Sequence, residues 1–141
     1  MSGERYLVVV PEQGSEPWWR DRLTGVGRAH GLGLINGKGF LLLSEAQPLL
    51  LGEIEQPVGA IVGTIFGYVG GAALTRLPDR EALAALTTRG ASLVDNYWGD
   101  YVAIIGDGGA PTILRAPFGD LPCFVRRSAD ANHGRLASPA P

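Results

Sequence analysis

Few residues of this chain combine type and spacing in a way that could do chemistry. Asp79-Arg80-Glu81 places two carboxylates two residues apart behind Pro78. That pattern suits a helix start, where carboxylates meet the orphan amides and the positive end of the dipole. Cys123 is the single cysteine, set between Pro122 and Phe124 with no His or acid beside it. It reads as a small buried hydrophobe rather than a nucleophile. One Cys with His30 and His133 supplies no ligand set for a structural zinc and no internal disulfide. In Gly25-Val26-Gly27-Arg28-Ala29-His30-Gly31 the third Gly comes one residue late for a dinucleotide loop, and no strand precedes it.

These residues need elements to hold them, and the pattern supplies several. Tyr6 to Val10 is apolar and β-branched and stops at Pro11, which predicts a first strand. Glu12 to Gly27 reads as irregular, with Trp18-Trp19 pinning it to the core. Leu32 to Ser44 carries a hairpin signal centred on Asn36-Gly37, a pair that tolerates the positive φ of a type I′ turn. Leu49 to Leu51 and Ala60 to Tyr68 predict two more strands, the second marked by Gly59, Gly63 and Gly67 at every fourth position. Such glycines point to bulges or close backbone approach. Pro78 to Gly90 predicts a helix with Asp79 as N-cap, Leu83 and Leu86 as its buried stripe and Gly90 at C′. Tyr97 to Ile105 and Thr112 to Phe124 predict a hairpin followed by a Pro/Gly corner, with Trp98 in the core. Residues 128–141 lose periodicity and read as a flexible tail or linker.

At 141 residues the chain is one domain by length, able to bury roughly two-thirds of its unfolded surface. With 21 Gly and 10 Pro it must turn often, which favours short strands. A formal charge of −2 without runs of either sign excludes a polyanion-binding face, so neither nucleic acid nor anionic membrane is an expected partner. The apolar N-terminal stretch is too short for a secretory segment, and Val58 to Phe66 falls far below the roughly 20 residues that span a bilayer. A cytoplasmic location fits this composition.

Asn96-Tyr97-Trp98-Gly99-Asp100-Tyr101-Val102-Ala103 followed by Arg115-Ala116-Pro117-Phe118-Gly119-Asp120-Leu121-Pro122 resembles the glutamine-hydrolysing N-terminal domain of asparagine synthetase-like enzymes. There a Trp-Gly-x-Tyr-Val-Ala strand precedes Arg-Asp-Pro-x-Gly-x-x-Pro. The likeness runs from about Ala60 to Phe124 and is closest to the branch that closes lasso peptides into macrolactams. It implies an α+β fold, a reduced N-terminal-nucleophile two-sheet sandwich with a flanking helix, over residues 1–127.

The resemblance implies site residues one by one. The family's Asn-Gly-Glu-Ile-Tyr corresponds to Val62-Gly63-Thr64-Ile65-Phe66, so Val62 replaces the amide that stabilises the oxyanion, while the Gly63 backbone amide remains available. Losing one such donor costs about 10² to 10³ in rate. Ser2 stands where the family exposes a nucleophilic Cys, and Asp79 matches the acid that holds the glutamine α-amino group. The expected function is therefore a degenerate, non-hydrolytic amidotransferase-like domain of an ATP-dependent amide ligase, a lasso-peptide macrolactam cyclase.

ATP and Mg²⁺ would belong to a synthetase domain, whose Ser-Gly-Gly-x-Asp-Ser loop is not in this chain. The expected cofactors here are none, and the expected partners are that domain, in cis or trans, and a precursor peptide. The chain would be an isolated or truncated N-terminal domain exposing the apolar surface on which the other domain docks. The alternatives are an active glutaminase supplying ammonia, with Ser2, Gly63 and Asp79 as nucleophile, oxyanion donor and substrate ligand, and a stand-alone peptide-binding module.

Overall fold

The computed structural model describes residues 5–10, 20–68, 71–106, 111–117, 119, 121, 124–127 and 135–138. Ser2, Trp18-Trp19, Cys123 and His133 lie outside them. Two antiparallel sheets form. One carries β1 (Tyr6–Val10), β2 (Gly33–Gly37), β3 (Phe40–Ser44), β8 (Phe124–Arg127) and β9 (Arg135–Ser138) in the order β2-β3-β1-β9-β8. The other carries β4 (Leu49–Leu51), β5 (Gly59–Gly67), β6 (Tyr97–Ile105) and β7 (Thr112–Arg115) in that order. Helices α1 (Arg20–His30), α2 (Asp79–Thr87) and α3 (Ala91–Asn96) complete the described elements, giving a mixed α+β architecture.

The period of two along each strand sorts side chains into layers. Tyr6, Val8, Phe40 and Leu42 of the first sheet meet Ala60, Val62, Val102 and Ile104 of the second in a buried inter-sheet core. The alternate residues face outward. Val9 and Leu41 pack with Leu7, Leu34 and Leu23 of α1, whereas Ile61, Ile65, Tyr101, Ala103 and Ile105 pack beneath Ala82, Ala85, Leu86 and Leu93 of α2 and α3. The order of layers is helix, sheet, sheet, helix. Strands covered on both faces have no polar side to show, so Phe40-Leu41-Leu42-Leu43 is buried throughout.

Several elements depart from the sequence reading. Arg20 to His30, expected within and beside an irregular segment, is a helix despite Gly25 and Gly27. Each glycine costs about 1 kcal/mol relative to Ala in a helix. Gly27 offsets that by proximity: a Cβ there would stand 2.9 Å from Leu43 Cδ2, so its absence lets α1 sit closely on the sheet. Arg5 secures the helix end, with Nη2 donating to His30 O at 2.8 Å and to Glu45 Oε2 at 2.9 Å.

The β2–β3 hairpin forms, but its turn is Lys38-Gly39, with Asn36 paired to Leu41 and Gly37 to Phe40. Only Gly39 of the two turn residues has positive φ, at 88°, so the turn is not type I′. The Phe40 ring occupies the space over Gly37 that any side chain would need. Lys38 thereby stays exposed at the tip.

Helix α2 begins at Asp79, with Pro78 as N-cap and no side-chain cap bond. The expected N-cap role of Asp79 fails because Pro78 already sets the extended entry, at φ −57° and ψ 151°. At the other end Arg89, not Gly90, holds the C′ position with φ 53°, and the Gly90 amide donates to Ala85 O at 2.8 Å. Gly90 instead opens α3, where a Cβ would stand 2.8 Å from Leu114 Cδ2. Leu83, expected in the buried stripe, is 61% exposed, and Ala85 takes its place in the core. Within the segment read as a tail, Arg135–Ser138 form β9 between β1 and β8. Backbone pairing on both edges accounts for order there that side-chain pattern did not announce.

Candidate functional site

β5 and β6 form the longest ladder, from Gly59 opposite Ile105 to Gly67 opposite Tyr97. Its inner face carries Val62 opposite Val102, Thr64 opposite Asp100 and Phe66 opposite Trp98, while Gly63 opposite Tyr101 and Ile65 opposite Gly99 belong to the outer face. Two glycines have backbones that side chains rarely adopt, Gly63 at φ 102° and Gly99 at φ 142°. A Cβ on Gly63 would strike the Asp100 carbonyl and lie 3.0 Å from Tyr101 Cα, and one on Gly99 would strike the Thr64 carbonyl. The expected close backbone approach at Gly63 is therefore present.

A corner closes over the middle of this ladder. The Ala116 amide donates to Tyr101 O at 2.9 Å, the Gly119 amide to Ala116 O at 3.2 Å, and the Leu121 amide to Asp100 Oδ1 at 2.5 Å. The last is charge-assisted and holds the corner on β6. Ala116, where the resembling family has Asp, is 2% exposed in the apolar cluster under α2 and α3. A carboxylate in that cluster would be stripped of water.

Trp98 is not a core residue: it is 50% exposed and stacks on Phe66, ring centroids 4.4 Å apart at 19°. The second sheet continues past the inter-sheet core at this end, which leaves the pair half open. Tyr101 is fully buried, and its hydroxyl has no hydrogen-bond partner among the described residues. Burial, and secondarily Tyr68, raises its pKa above the usual tyrosine value. Tyr97 shifts in the same direction through burial and then Glu81.

The start of β1 lies away from the β2–β3 turn. Lys38, at the β2–β3 turn, donates its amide to Pro57 O at 2.8 Å, which fixes that turn beside the Gly59 end of β5. β3 runs from there to Ser44, and Tyr6 pairs with Ser44. Tyr6 therefore lies at the end of its sheet away from that turn, in the same inter-sheet cluster as Val62, Val102 and Leu121. Ser2 precedes it but lies outside the described residues.

Asp79 sits elsewhere. Its side chain is fully exposed, 3.8 Å from Arg76, on the rim of a groove of about 800 Å³ between the Gly52–Ile54 loop and α2. Gly63 does not line that groove. His30 is exposed at the end of α1, with its carbonyl bonded to Arg5.

Sequence reasoning passed over Asp100, Tyr101 and the groove. Asp100 stands in the quoted Trp-Gly-Asp-Tyr run, and its alternation with Trp98 and Val102 signals an inward carboxylate that needs a partner. The groove joins residues far apart in sequence and left no local mark. Among the described residues no three of His, Cys, Asp and Glu gather as a metal site, and no helix is long and apolar enough to cross a membrane. Comparison with protein-family models, curated proteins and solved structures finds no significant match to this chain.

Proposed function

We propose that this chain is a degenerate, non-hydrolytic glutamine amidotransferase-like domain of an asparagine synthetase-like amide ligase, of the branch that closes lasso peptides into macrolactams. The observation that carries the reading is Val62. It is 0% exposed and packed between the two sheets, at the position where the resembling family presents an oxyanion-binding amide. A buried isopropyl group cannot donate to a tetrahedral intermediate, and absence of one donor lowers the rate by about 10² to 10³.

The helix-sheet-sheet-helix order also supports the reading. Asp79 lines the groove beside α2 and Gly63 does not, which disfavours a glutamine pocket built from both in that groove. In this reading the domain works in the cytoplasm, supports a synthetase domain that binds ATP and Mg²⁺, and helps to confine a precursor peptide. The sandwich contributes a rigid frame, and the half-open Trp98–Phe66 pair is a surface an unfolded substrate can cover.

The test is reconstitution with a synthetase-type partner, ATP, Mg²⁺ and candidate precursor peptide, followed by mass spectrometry. Loss of one water that requires this domain and no glutamine is the expected result. Ammonia release from glutamine by the chain, abolished in Ser2→Ala, would overturn it in favour of a glutaminase. Dehydration indifferent to the domain would leave a peptide-binding module.

A further inference from the structure

Two of the most exposed large apolar side chains of the described residues line the groove beside α2. Ile54, 82% exposed, stands on the β4–β5 loop, and Leu83, 61% exposed, on the helix. Leu50 and Leu86 form part of the lining between them. The apolar stripe of α2 is thus wider than the sheet beneath it covers, and a stripe of that width ordinarily has something against both halves. At about 800 Å³ the groove is within the size range of cavities that bury a ligand.

Its charge selects the occupant. Glu53 and Asp79 line it against a single cation, Arg76, whose guanidinium lies 3.8 Å from Asp79. No described residue forms an ion pair with Glu53. An apolar floor with a net acidic rim complements an apolar segment that carries a Lys or Arg, and opposes an acidic one. We propose that this groove binds a short peptide segment of another protein in which apolar side chains flank a cationic one. The apolar side chains would cover Ile54 and Leu83, and the cation would meet Glu53. Peptide capture here does not require the amidotransferase-like reading to hold.

The probe is the capped pentapeptide Leu-Arg-Leu-Lys-Leu, titrated into isotope-labelled full chain and followed by amide chemical shifts, with Leu-Glu-Leu-Glu-Leu as its counterpart. The expected result is shifts at Ile54, Ala82 and Leu83, with the acidic peptide at least about tenfold weaker. Leu83→Asp and Glu53→Lys should each weaken the basic peptide by about tenfold while melting within about 1 °C of the parent, because both side chains are exposed. Absence of binding up to about 1 mM, equal affinity for the two peptides, or shifts confined to Phe66 and Trp98 would overturn the proposal. So would concentration-dependent dimerisation that Leu83→Asp abolishes, which would give the groove to a second copy of the chain.

Discussion

Replacing Gly63 with Ala tests the tightest feature of the β5–β6 ladder. The backbone there has φ 102°, a conformation that costs a non-glycine residue about 1–3 kcal/mol. The new Cβ would also collide with the Asp100 carbonyl and press to 3.0 Å on Tyr101 Cα and 3.1 Å on Leu121 Cδ2. Two of these three neighbours are backbone atoms of β6, so relief requires the strands to part, and overpacking of this kind costs about 1–3 kcal/mol. Together the two effects destabilise by about 2–6 kcal/mol, a large share of the roughly 5–15 kcal/mol that holds a domain folded. At about 3 °C per kcal/mol for a domain of this size, the midpoint should fall by about 6–18 °C.

Gly25→Ala is the matched control. It lies in α1 with nothing within 4 Å of the new Cβ, and should raise stability by about 0.5–1 kcal/mol. Far-UV circular dichroism through thermal unfolding reads both. A Gly63→Ala midpoint within about 1 °C of the parent would refute the strained pairing of β5 with β6.

Asp100→Ala should destabilise by about 1.5–3 kcal/mol by leaving the Leu121 amide without its charged acceptor, with Asp100→Asn intermediate; urea titration ranks them. Tyr101→Phe should be neutral or stabilising by up to about 2 kcal/mol, since the hydroxyl it removes is buried and unpaired, and thermal melting decides the sign. Burial raises the folded-state pKa of Tyr101 above the ordinary tyrosine value of 10.0, so the unfolded chain releases the proton first as pH rises. Stability is therefore intact below pH 10 and declines above it, and Tyr101→Phe should flatten that decline in denaturation curves measured from pH 9 to 11. Arg5→Ala should cost less than about 1 kcal/mol, and less still in high salt, because its pairing with Glu45 is half in solvent; melting at two ionic strengths checks this.

Local pattern and tertiary packing divided this chain between them. The residues of β1 and β4 and the buried halves of β5 and β6 were legible because strand segments covered on both faces must be apolar, and Pro or Gly marks several of their ends. The glycine at 63 announced a close approach before its partner strand was known. Helix α2 was legible from Pro78, its carboxylates and its alanines, but which of its leucines faces the sheet was not. That depends on the rotation of the helix over β5 and β6, which the sequence period leaves open between neighbouring faces. Helix α1 was invisible because its stability comes from Leu23 and Gly27 resting on the first sheet, not from propensity. The hairpin was legible, whereas its turn moved to Lys38-Gly39 because the Phe40 ring needs Gly37 beneath it. The half-open Trp98 and the orphaned Tyr101 hydroxyl arise from where one sheet outruns the other and where α2 lands. Side-chain chemistry is local and can be read along the chain, but the distance between two side chains is set by every element packed between them.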